Sequence, residues 1–267
     1  MSQHDSPSKR ERREAARAER IERERAEAAG MARRRRLLQL GGLLAAAAVV
    51  VVVAVLVSSG GGSKKSAATG GSLQGAAATA KLLDGIPQNG ITLGDPKAKA
   101  TILEFADPQC PFCKDYTLNE MPALIQKYVR TGKAKMQLRY LTFIGPDSLP
   151  AARALAAAGT QSKLWNASDL LYRNQGEENT GYITTDFLTN VLKGAGADPA
   201  RALAQAGSSA ASSELGAAKT LAGRYAVNST PTVLVGPTGG DLKKAGDTPT
   251  AASVGAAVDA VLGQSGT

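Results

Sequence analysis

Two thiols three residues apart, in Cys110-Pro111-Phe112-Cys113, are the part of this 267-residue chain whose types and spacing could do chemistry. Such a pair can alternate between a dithiol and a disulfide. They are the only cysteines in the sequence, and the single histidine, His4, lies in the amino-terminal tail. No Ser-His or Cys-His pair can therefore be assembled in the folded part, and a four-ligand Cys/His zinc site lacks ligands. With no third cysteine to resolve it, the dithiol must exchange electrons with another molecule. No metal and no cofactor is expected.

The flanking residues predict how the pair is held. Ile102, Leu103 and Phe105 read as a buried strand, Asp107 and Pro108 punctuate, and Met121, Leu124, Ile125 and Tyr128 recur at helical spacing. This is a strand, a turn, and a C-x-x-C at the start of a helix. Unsatisfied N–H groups and the positive end of the helix dipole favour an anion there, and the thiolate is the attacking species. Cys110 is the expected nucleophile, facing outward, and Cys113, one turn along and turned inward, the resolving thiol. Glu104 sits inside the apolar strand, where a carboxylate is costly without a partner or a role. One reading makes it a buried proton acceptor for Cys113; the other pairs it at the surface. Pro231, between Thr230 and Thr232, precedes the strand signal Val233-Leu234-Val235. A trans proline is unwelcome in mid-sheet, and a cis peptide at the strand's start is the alternative. If that strand returns beside the cysteines, Thr230 can offer backbone polar groups to an extended client, with Pro111 and Phe112 beside it. A structural disulfide would close only a tiny loop and stabilise little. Half a zinc site would need ligands from a second chain.

Composition bounds the rest. The chain is 43% hydrophobic but only 4% aromatic, so Ala, Val and Leu must build much of the core. The formal charge is +9, of which residues 1–36 contribute +5. Those residues interleave opposite charges, as in Lys9-Arg10-Glu11-Arg12-Arg13-Glu14, and read as a solvated cytoplasmic tail; a nucleic-acid or anionic-lipid arm is the competing reading. No nucleic-acid partner is expected. After Arg33 to Arg36, residues 37–57 form an apolar run long enough to span a membrane, where a signal peptide would have a shorter one. The arginines on its amino side hold that end in the cytoplasm. Residues 58–80, rich in Gly, Ser, Ala and Lys, read as a flexible tether.

The folded region is expected over residues 81–264. Its predicted order is strand, strand, helix, strand, a helical insertion at about 147–227, strand, strand, helix. Helices are predicted at 148–159, 163–174, 184–192, 199–206, 214–227 and 250–262, the fourth capped by Asp198 with Pro199 following. The helix after the cysteines should break or kink near Pro122. Alternating elements of this kind make an α/β layer fold, a central sheet with helices on both faces, and the insertion should sit over one edge.

Residues 86–262 resemble the DsbA-like branch of the thioredoxin superfamily. The resemblance is carried by Leu103-Glu104-Phe105-Ala106-Asp107-Pro108-Gln109-Cys110-Pro111-Phe112-Cys113, by Gly145-Pro146-Asp147-Ser148, by Gln161, Trp165 and Asn174-Gln175, and by Thr230-Pro231-Thr232. It implies a thioredoxin core with a helical insertion, Cys110 as nucleophile, Cys113 as buried partner, Glu104 as buried acid and Pro231 as a cis-proline. The tail and single anchor look like actinobacterial membrane-tethered members. The function so implied is disulfide introduction into reduced exported proteins outside the cytoplasm, with a quinone-linked membrane partner as reoxidant. A reductase or isomerase, or a tethered chaperone-like module with a passive disulfide, are the alternatives. Phe112 stands where the best-known strong oxidant of the family has histidine, so thiolate stabilisation from that position is missing.

Overall fold

In a computed structural model the described residues are 73–264. The tail, the proposed span at 37–57 and most of the proposed linker lie outside them. Among the described residues no helix is long and apolar enough to cross a membrane.

Among the described residues six strands form one mixed sheet in the order β1-β2-β4-β3-β5-β6. The strands are β1 (Gln88–Asn89), β2 (Thr92–Leu93), β3 (Ala100–Ala106), β4 (Ala134–Tyr140), β5 (Thr232–Pro237) and β6 (Lys243–Lys244). β3 runs parallel to β4 and antiparallel to β5, and all seven of its residues are buried. Strand alternation sends Ile102, Glu104 and Ala106 to one face and Leu103 and Phe105 to the other. β1 and β2 form a hairpin where residues 86–94 read as a short strand and turn, and Gly90 supplies the positive φ of 54° at its turn.

The helix carrying the cysteines, α2, runs through Pro111–Asp115, Tyr116–Glu120, Met121–Leu124 and Ile125–Val129. It does not break at Pro122. The second and fourth segments widen into π-helix, and the Met121 N–H reaches back to the Tyr116 carbonyl. A proline ring crowds the carbonyl four residues earlier, and a widened turn relieves that clash.

The insertion is all helical: α3 (Ser148–Gly159), α4 (Leu164–Arg173), α5 (Thr185–Gly194), α6 (Pro199–Ala206) and α7 (Ser209–Arg224). It is more than a cover for one edge. Ala218 and Ala222 of α7 pack on Leu103, Phe105 and Leu234, sealing a sheet face that would otherwise expose its apolar side chains. On the other face, Leu124, Ile125 and Tyr128 of α2 join Val254 and Val258 of α8 (Ala251–Gln264) against Ile102, Met136 and Val235. Helices thus cover both faces. Trp165, Leu170, Leu171 and Tyr172 are core, as their spacing on α4 predicts.

One boundary moves. Helix α1 (Ala76–Leu83) begins inside the stretch assigned to the tether at 58–80. Its alanines resemble linker in composition, but Thr79 is buried and donates to the Asp169 carboxylate, which also accepts from Arg173. Replacing Thr79 with Val leaves that buried carboxylate short of a partner. The expected cost is about 1–3 kcal/mol, read as a lower denaturant midpoint at unchanged slope.

Candidate functional site

The C-terminal ends of β3 and β4 and the start of β5 converge on the dithiol. Cys110 is the N-cap of α2, with extended backbone angles of −67° and 119°, and its Sγ accepts the Cys113 N–H at 3.4 Å. Pro111 follows at the first helical position, where its missing N–H costs nothing. From the other side the Thr230 carbonyl lies 3.3 Å from Cys110 Sγ, and the Thr230–Pro231 peptide is cis. Both thiols are free. Cys110 is less outward-facing than its place at a helix start suggests: it is only 3% exposed, with the Thr230 carbonyl against its sulfur. The exposed side chain is Phe112, at 73%, with Pro111 also exposed.

The two sulfurs are held at opposite ends of the titration range. The Cys113 thiol donates to the Cys110 sulfur and outweighs desolvation; with help from the Thr230 side chain and the N–H groups of Cys113 and Phe112, the Cys110 thiol falls to about 6. Burial pushes Cys113 well up, reinforced by its bond to Cys110 and by the negative charges of Cys110 and Glu104. Glu104 is fully buried, and among the described residues neither of its oxygens has a hydrogen-bond partner. Desolvation, then the Cys110 charge, raise its carboxyl to about 8. Of the two readings of Glu104, the surface pairing does not hold. The site thus has one acidic thiol, one thiol kept protonated, and a buried carboxyl that can hold or release a proton near neutrality.

Residues 87–259 match the family described as Thioredoxin. The chain belongs to the thioredoxin family. Among the similar proteins, a probable disulfide bond formation protein D of Bacillus cereus is 33% identical over 104 residues, 38% of this chain and 48% of that protein. The disulfide bond formation protein D of Bacillus subtilis is 25% identical over 103 residues, 38% of this chain and 46% of that one. The chain thus matches about half the length of these curated relatives. Among solved structures, oxidised BdbD from Bacillus subtilis superposes with a TM-score of 0.59 at 20% identity, covering 67% of this chain and 97% of that chain. Wolbachia pipientis alpha-DsbA1 gives 0.57 at 18%, covering 68% and 93%. These two share the fold, a thioredoxin sheet with a helical insertion.

Around this thioredoxin-family dithiol stand residues that the sequence marks only as punctuation or as packing. Asp107 is wholly buried: Oδ1 accepts from the Gln109 N–H and the Ser148 hydroxyl, and Oδ2 from the N–H groups of Phe143 and Ile144. Its carbonyl accepts from the Tyr172 hydroxyl at 3.1 Å. Gln109 donates to Ser148 and accepts the Asn179 N–H. An aspartate directly after a buried strand was the available signal, but its partners are remote in sequence.

Two measurements check the electrostatics. Alkylation of the reduced protein should titrate with a midpoint at about 6, with Cys110 modified and Cys113 protected. For Glu104 the sign follows from its raised value: between its ordinary 4.5 and about 8 the folded chain keeps a proton that the unfolded chain has lost. The burial cost is therefore absent below that window and grows as pH rises through it. Glu104→Gln should gain stability over the parent as pH goes from 5 to 8, in denaturant unfolding of the reduced proteins.

Proposed function

We propose that the protein is a thiol-disulfide oxidoreductase of the DsbA type that introduces disulfides into reduced exported proteins. The observation that carries this reading is the unequal dithiol: an acidic Cys110 at a helix start beside a buried Cys113 kept protonated over Glu104. A stabilised Cys110 thiolate favours the reduced form and so makes the disulfide ready to accept electrons. The names of the Bacillus relatives support the same chemistry.

In the oxidised enzyme a client thiolate attacks Cys110 Sγ, and the Cys113 sulfur leaves, taking the proton that the Glu104 carboxyl can supply. A second client thiolate then attacks the client sulfur of the mixed disulfide and expels Cys110 as a thiolate. Two electrons have passed to the enzyme and the client holds a new disulfide. Thr230 offers its backbone beside Cys110, and exposed Pro111 and Phe112 give the client an apolar surface. Electrons then leave to a quinone-linked membrane partner.

The chain's organisation belongs to the same proposal: a cytoplasmic tail at 1–36, one membrane-spanning helix at 37–57, a tether, and an extracytoplasmic catalytic domain ending near 264. The apolar length of residues 37–57 and the arginines before it support this topology.

Thiol trapping in intact cells should find Cys110 and Cys113 mostly disulfide-bonded; a mostly reduced pair would turn the reading to a reductase or isomerase. Cys113→Ala should accumulate mixed disulfides through Cys110. Capture of no client would favour a binding module.

A further inference from the structure

The residue after Asn174, where α4 ends, belongs to the insertion yet reaches the dithiol. The Gln175 side-chain amide donates to the Pro108 carbonyl at 3.0 Å and to the Cys110 carbonyl at 3.2 Å. Both neighbours are carbonyl oxygens, so the NH2 group and not the amide oxygen must face them. One amide thus uses its two hydrogens on the carbonyls of the nucleophile and of the residue two before it. Gln175 is itself well held. Its N–H donates to the Tyr172 carbonyl, the Tyr172 hydroxyl donates to the Asp107 carbonyl, and Asn174 bonds back to Leu170.

We propose that Gln175 is a positioning residue for Cys110, fixing the carbonyls on either side of the nucleophile's turn and offsetting their negative charge so that the sulfur is stabilised as a thiolate. Two effects combine. The bond to the Cys110 carbonyl, which also accepts the Lys114 N–H, holds the N-cap conformation that aims Sγ at the Cys113 N–H. In addition, carbonyl oxygens close to a thiolate repel it, strongly in a half-dry site, and a donor on each reduces that repulsion. The inference rests on the oxidoreductase reading and deepens it, since it places control of the dithiol in the helical insertion. The groups whose charge couples to Cys110 are Glu104, Cys113 and Tyr172, and substitution at Gln175 leaves all three in place.

The test compares Gln175→Met, which keeps the length but loses the donor, with Gln175→Glu, which sets a carboxylate against the two carbonyls. On full-length protein in detergent, two quantities are read: the pH midpoint of Cys110 alkylation, and the equilibrium in which the enzyme disulfide and two glutathione thiols give the enzyme dithiol and one glutathione disulfide. The midpoint should rise in the order parent, Met, Glu. The equilibrium at pH 7 should move toward the enzyme disulfide in the same order, several-fold for Met and further for Glu. Loss of packing alone would lower the unfolding temperature without producing that order. A parent that exchanges with glutathione, accompanied by variants with the parent's midpoint and equilibrium, overturns the role of Gln175 alone. A parent dithiol that does not exchange overturns the functional reading and this inference with it.

Discussion

A single buried carboxylate, Asp107, joins the parts of this molecule that have to meet at the dithiol. Its two oxygens take four hydrogen bonds, from the turn that leads into Cys110, from the chain leaving β4, and from the first residue of α3. Its backbone carbonyl takes two more, from the Tyr172 hydroxyl of α4 and from the Cys110 N–H. A fully buried carboxylate with every lone pair occupied is tolerable; one with a donor missing costs several kcal/mol. The thioredoxin core and the insertion therefore fix one another's position, because each supplies donors that the same group requires. The geometry of Cys110 is set by both.

Glu104, three residues earlier in the same chain segment, shows the opposite arrangement. It too is fully buried, but among the described residues neither oxygen has a hydrogen-bond partner, and nor does the Tyr116 hydroxyl on α2. Strand alternation puts Glu104 on the face that α2 covers, so it stays under Cys113 and away from water. An orphaned carboxylate resolves its desolvation cost by keeping its proton, and this makes it a proton donor at a pH where ordinary glutamates are ionised. The satisfied Asp107 is architecture. The unsatisfied Glu104 is a tolerated instability placed beside the thiol that must gain and lose a proton.

What could be read from residue types follows the same division. Local patterns were legible: α3 and α6 begin and end where Ser148, Gly159, Asp198 and Pro199 place them, and the buried strand, the N-cap cysteine and the cis Thr230–Pro231 peptide lie where strand alternation, helix capping and the intolerance of mid-sheet proline put them. Elements with weak periodicity were not. The first residues of α1, 76–80, read as linker because their composition is that of the tether, and the partner that anchors Thr79, Asp169, lies 90 residues away. α7 starts at Ser209, ahead of the expected 214, because Ser209-Ala210-Ala211-Ser212-Ser213 reads as loop until Ser208 is seen to cap it. Asp107 and Gln175 escaped for a related reason. Asp107 has neighbours within three residues, but the partners that tie both residues to other elements lie 36 to 67 residues away, and no local spacing encodes such contacts.

That distance bears on how such a site can vary. The groups that form and break bonds, Cys110 and Cys113, lie within one turn of one helix, and Glu104 lies six residues before Cys110 on the strand that leads into it. Some of the groups that shape their surroundings come from the insertion: Ser148, Tyr172, Gln175 and Asn179. Substitution inside the C-x-x-C changes the thiolate directly, as Phe112 does by offering no charge or donor of its own beyond its backbone N–H. Substitution in the insertion can change the same thiolate while leaving the reacting groups and the sheet intact. An inserted helical block that both seals the Leu103–Phe105 face through α7 and contacts the nucleophile's turn through Gln175 therefore cannot be a passive cover, because the stability of the sheet and the acidity of Cys110 depend on the same packed element.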